Sequence, residues 1–149
     1  MTRLFALAAF AALSALAGWT APSARAEDKQ AIGHEKHFAA CAKECAACQL
    51  QCDACFKYCL TQLADGKKDH ARSAQLCADC AECCKLCATL CARQSPFCPA
   101  ACECCAKCCD ECGVACERFA SSPEMTACAE ACKKCAASCR EMARMSARK

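Results

Sequence analysis

Cys41-Ala-Lys-Glu-Cys45-Ala-Ala-Cys48-Gln-Leu-Gln-Cys52-Asp-Ala-Cys55-Phe-Lys-Tyr-Cys59 is the stretch that decides the fold. Its cysteines are spaced 4, 3, 4, 3 and 4 residues apart. That interval places every side chain of a set on one stripe of an α-helix. A helical bundle normally fills such seam positions with Leu, Ile and Val. Here the seam is thiol.

The same interval recurs three more times. Cys77, Cys80, Cys84, Cys87 and Cys91 form a second stripe, with Cys83 rotated about 100° from Cys84 and expected to widen it. Cys98, Cys102, Cys105, Cys109, Cys112 and Cys116 form a third, which Cys104 and Cys108 are expected to broaden. Cys128, Cys132, Cys135 and Cys139 form the fourth, extended one step at each end by Met125 and Met142.

Local signals bound these segments. The first helix is expected from His34 to Ala64, where Asp65-Gly66 is a stop. The second is expected from Lys68 to Arg93. Ser95-Pro96 reads as a cap with proline at the first helical position, and Pro99 still falls in the first turn. Ser122-Pro123 repeats that start signal for the fourth helix. Short turns make neighbours antiparallel, and no β-rich run occurs. The expectation is an all-α, antiparallel up-down-up-down four-helix bundle with a cysteine-lined core, its helices about 26 to 31 residues long.

The first 26 residues read differently. Met1-Thr2-Arg3 is a positive start, Leu4 to Ala17 an apolar run, and Ser23-Ala24-Arg25-Ala26 an A-x-A cleavage site. The run is shorter than the roughly 20 residues a membrane span needs. Residues 1–26 are therefore expected to be a cleaved secretory signal, 27–33 a flexible lead, and 34–149 the bundle, exported to a periplasm. Cleavage leaves 17 basic against 16 acidic side chains. That near balance argues against the basic footprint of a nucleic-acid binder. Trp19 departs with the leader, so cysteine and alanine must fill the core. No nucleophile–base pair or phosphate loop is present.

Three chemistries compete for the 24 cysteines. An extracellular disulfide scaffold is the ordinary reading of many cysteines behind a leader. Such scaffolds are loop-rich, whereas this chain has four Gly and four Pro and parallel thiol rows unsuited to the geometry of twelve bridges. An iron–sulfur electron-transfer protein is the second. Cys77-x2-Cys80-x2-Cys83-x3-Cys87 matches ferredoxin spacing, but Ala88 replaces the final proline and the run lies in a helical pattern. The third is soft-metal binding. Cysteines three or four apart project from adjacent turns and can share an ion. A thiolate and thioether set selects Cu(I), and bridging thiolates allow about one ion per cysteine, on the order of twenty. Zinc would need separate tetrahedra, which continuous rows do not suggest.

The exported leader and the C-x3-C-x2-C stripes in all four helices together resemble the cysteine-rich four-helix-bundle copper storage proteins. That resemblance covers the chain after the leader. It implies many Cu(I) ions stored through thiolate pairs and bridging cysteines, a homotetramer of bundles, and no catalysis. In an antiparallel bundle one end collects His34, His37, Cys91, Cys98, Met142 and Met145. These imidazoles and thioethers are the candidate entrance ligands. The other end collects Leu60, Leu63, His70, Leu76, Phe119 and Met125.

Overall fold

A computed structural model describes the backbone of residues 24–146 and the side chains of residues 35–145. The leader's first 23 residues lie outside it, as does the side chain of His34. Four helices follow one another: α1 (Ala24–Ala64), α2 (Ala71–Ala92) preceded by a 3₁₀ turn (Lys68–His70), α3 (Cys98–Glu117) and α4 (Pro123–Ser146). No strand occurs among the described residues. α1 packs on α2 and α4, and α3 packs on the same two, so the helices stand in chain order around a square. The expected antiparallel four-helix bundle is the observed fold.

Capping chemistry explains the boundaries. At the end of α1, Gly66 takes a positive φ of 83°. Its N–H donates to the Leu63 carbonyl at 3.0 Å and the Lys67 N–H to the Gln62 carbonyl at 3.0 Å. These two bonds are the Schellman closure that the Asp65-Gly66 signal predicts. α4 starts where Ser122-Pro123 places it, with the Met125 N–H donating to Ser122 Oγ at 3.4 Å. Pro123 opens the helix, where its missing N–H costs nothing.

Helix lengths depart from the expected 26 to 31 residues. α1 runs 41 residues, because its backbone is helical from Ala24, ten residues before the predicted start at His34. α2, α3 and α4 have 22, 20 and 24 residues. The start at Ser95-Pro96 is also corrected. α2 ends in a second Schellman closure, in which Gln94 N–H donates to Cys91 O and Ser95 N–H to Leu90 O, both at 2.9 Å. Ser95 is thereby committed to the end of α2. Its carbonyl then accepts from Cys98 N–H at 3.0 Å, forming the reversing turn. α3 starts only at Cys98, with Pro99 in its first turn.

Small side chains bring the helices close. Ala74, Ala81, Ala106, Ala129 and Ala136 are buried beside the cysteine stripes. Opposite Cys132, a Cβ on Gly113 would lie 3.5 Å from the cysteine Cβ. Larger residues at these seams would hold the backbones apart and open the core.

Surface ion pairs join neighbouring helices. Lys133 reaches Glu117 at 2.6 Å, Arg72 reaches Glu111 at 3.4 Å, and Arg140 pairs with Asp110. These cross between helices, whereas Lys85–Glu82 at 3.6 Å stays within α2.

Gln94 carries a φ of 51°, a left-handed conformation that an L side chain resists. Replacing it with glycine keeps the closure and removes the Cβ strain. The variant Gln94→Gly is expected to gain about 1 kcal/mol, read as a higher urea midpoint of the apo protein. A lower midpoint would contradict this account of the α2–α3 turn.

Candidate metal centre

The seven-residue repeat in each stripe stacks the bundle interior into layers. Across the α1–α3 diagonal, Cys41 Sγ lies 3.8 Å from Cys102, Cys48 3.9 Å from Cys109 and Cys55 3.9 Å from Cys116. Across the α2–α4 diagonal, Cys77 lies 4.0 Å from Cys128 and Cys84 3.9 Å from Cys135. Each successive contact advances seven residues on both helices. Neighbouring helices fill the spaces between, as in Cys45–Cys139 at 3.5 Å and Cys87–Cys102 at 3.3 Å. Opposed thiols meet at the axis because four narrow, alanine-flanked helices leave no more room.

Of the 24 cysteines, 21 are buried in this array. The thiols gather into groups of four whose sulfurs all lie within 4.8 Å of one another. Cys48, Cys80, Cys109 and Cys132 form one such group, and Cys48, Cys84, Cys109 and Cys135 another. Each draws one cysteine from every helix. The groups share members: Cys48 and Cys109 belong to both of these, and Cys41 and Cys87 are common to two others. Separate tetrahedral zinc centres cannot all be filled when they compete for the same thiols. A shared thiolate suits a bridging ligand in a continuous array.

Burial acts upward on these thiols, since it penalises the thiolate. Cys59 is pushed up to about 12, by burial first and then by the charge of Cys55. Burial also raises Cys98. At Cys52 and Cys77 hydrogen bonding with neighbouring thiols, Cys112 first, acts upward as well. Cys48 and Cys112 are lowered instead, chiefly through hydrogen bonding with Cys109 and with Cys116 respectively.

Other predicted residues fall into two classes. Cys91 and Cys98 sit in the core at the His34 end, 2.6 Å apart, and Met142 is buried beside the array. His37 remains exposed and faces Glu141 across the α1–α4 seam at 3.8 Å. Met145 is half-buried, and the side chain of His34 lies outside the described residues.

Cys83, Cys104 and Cys108 do not broaden the core stripes as expected. Cys104 is exposed and the other two are half-buried. Cys83 Sγ lies 3.1 Å from Cys108 Sγ outside the array. A residue about 100° from a seam position falls on a flank, and here the flank faces out. The ferredoxin-like run is dismantled by the same fact. Cys77, Cys80 and Cys87 point into the core while Cys83 turns away, so the four cannot enclose a cluster.

The opposite end adds a donor that the sequence placed only as a continuation of a stripe. Met125 is fully buried, with its Sδ 3.4 Å from Cys55 Sγ and 3.7 Å from Cys59 Sγ. Its position three residues before Cys128 was the available signal. Beyond the array, His70 stacks on Phe119 with ring centroids 4.0 Å apart and meets Tyr58 edge-on at 5.8 Å. These three rings close that end.

Residues 34–144 match the family described as copper storage protein, Csp. The chain belongs to the copper storage protein family. Among solved structures, the Cu(I)-bound copper storage protein BsCsp3 is similar at 33% identity and a TM-score of 0.67, covering 72% of this chain and 98% of that one. The apo copper storage protein 3 of Bacillus subtilis is similar at 34% identity and a TM-score of 0.64, covering 70% and 96%. A cytosolic copper storage protein of Streptomyces lividans, with five coppers, follows at 28% identity and a TM-score of 0.68, covering 74% and 95%. No curated protein sequence matches the chain. As a copper storage protein, the chain has no described helix long and apolar enough to cross a membrane.

The raised thiols set a pH dependence for the apo protein. The folded value of Cys59, about 12, lies above the ordinary 9.0, so the neutral thiol favours the folded state. That contribution is complete below the unfolded value and is lost as pH rises through the folded one. The reduced apo bundle should therefore melt at progressively lower temperature as pH is raised from about 9 towards 12, checked by anaerobic circular dichroism. A flat profile would contradict the burial of neutral thiols.

Proposed function

We propose that the bundle stores Cu(I) in bulk, holding ions between thiolate pairs and bridging cysteines along its axis. The overlap of the four-thiol groups carries this reading, because it supports a continuous soft-donor array. Empty, the cysteines are small neutral hydrophobes that pack the bundle without metal. Each ion entering displaces protons and offsets the cost of burying thiolate charge. The protein supplies ligands, confinement and exclusion of water, and no catalytic step is assigned to it. The ligands are the 21 core cysteines, joined by the Met125 thioether at the closed end. Cu(I) is d¹⁰, so the loaded protein lacks the visible absorption of an iron–sulfur protein.

His34, His37, Met142 and Met145 form the entrance in this reading. Imidazole and thioether bind Cu(I) more weakly than thiolate and so pass it inward. Their gathering at the end where Cys91 and Cys98 meet supports the assignment. Anaerobic titration of the reduced protein with Cu(I) against a competing chelator tests both parts. Tight uptake on the order of twenty ions is expected, and uptake of one or two would overturn storage. Followed in time, the same titration should slow when His34, His37, Met142 and Met145 are replaced by alanine. An unchanged rate would discard the entrance.

Export to the periplasm and assembly into a homotetramer complete the proposal. The leader of Met1 to Ala26 supports the first. Exposed Leu50, Leu86, Phe97 and Val114 supply apolar surface for the second. Native mass spectrometry of protein recovered from the expressing cells' periplasm reads both. Four chains starting at Glu27 are expected; a chain retaining Met1 or a monomer would refute the corresponding part.

A further inference from the structure

Three thiols lie on the rim of the storage array, Cys83 and Cys108 half-buried and Cys104 exposed. Cys83 on α2 lies 3.1 Å from Cys108 on α3, and Cys104 lies one helical turn before Cys108 on the same flank. In antiparallel neighbours, equivalent flanks of the two seams face each other. Cys83 immediately precedes core Cys84, and Cys108 immediately precedes core Cys109, so both occupy the same flank and meet. Cys104 sits one turn from Cys108 on the same helix and reaches solvent. Cys104 and Cys108 also line a surface groove with Leu76, Asp79 and Lys107.

The trio is backed by a second one inside. Cys84, Cys105 and Cys109 follow Cys83, Cys104 and Cys108 in the chain, and their sulfurs touch one another: Cys84–Cys105 at 3.6 Å, Cys84–Cys109 at 3.8 Å and Cys105–Cys109 at 4.0 Å. Three Cys-Cys dipeptides thus present one thiol of each pair inward and one outward. Structural filling does not require the outward set, since alanine serves the other flanks. Three convergent thiols selecting a soft monovalent ion do explain it.

We propose that Cys83, Cys104 and Cys108 form an external Cu(I) site on the α2–α3 seam, which exchanges its ion with solution independently of the core. The site rests on the storage reading, in that it takes the same ion. On binding, each coordinating thiol releases its proton to solvent and donates a sulfur lone pair to Cu(I), so no oxidant or reductant is needed.

The test compares wild type with Cys83→Ser/Cys104→Ser/Cys108→Ser, both reduced, loaded anaerobically with Cu(I) and challenged with a Cu(I) chelator. Wild type should release about one ion in a fast phase ahead of the rest, and the variant should lose that phase and about one ion of capacity. Cys104→Ser alone, at an exposed position, should also abolish the fast phase, so the result does not hang on the triple variant folding. Equal capacity and identical traces would overturn the site. So would Cu(I)-treated wild type that is two hydrogens lighter by intact mass, with Cys83 bonded to Cys108. Failure of the storage reading looks different: wild type and variant alike would then lack the slow phase from the core.

Discussion

Sulfur meets sulfur across both diagonals of the bundle, and the remaining features serve that contact. For Cys48 and Cys109 to lie 3.9 Å apart, α1 and α3 must stand close although their backbones do not touch. Leucine or isoleucine at the seam would fill the axis and push the helices outward. Cysteine fills it with the smallest soft side chain available, and flanking alanines keep the neighbouring helices near. The storage space and the hydrophobic core are therefore one volume, occupied by thiols when empty and by thiolates and metal when full.

This double use reconciles two demands that usually conflict. A dense set of ionised ligands would repel itself apart without metal, and a dry apolar core would have nothing to offer an ion. Thiols shift between the two states by losing a proton. Burial favours the neutral thiol at Cys59 and Cys98, so their protons leave when a cation arrives.

Much of this was legible in the sequence because helix period and ligand spacing coincide. The 4-3 interval gave helix, stripe and ligand set together, and Gly66 and Ser122-Pro123 gave two of the boundaries. What escaped reading has physical causes. Ser95 carried a start signal, but its N–H was already required to close α2, which delayed α3 to Cys98. Cys83, Cys104 and Cys108 lie one position from seam residues, and only the opposing helix decides whether such a flank is covered. Met125 was legible only as the extension of a stripe, because its contacts with Cys55 and Cys59 come from another helix.

The recurrence of the diagonal contacts every seven residues has an architectural consequence. Each heptad added to all four helices would append another storey of donors without altering those below, since no storey depends on a chain reversal. Capacity in such a scaffold is a matter of length, and a longer or shorter tube would scale its hold in steps while its cross-section stayed the same.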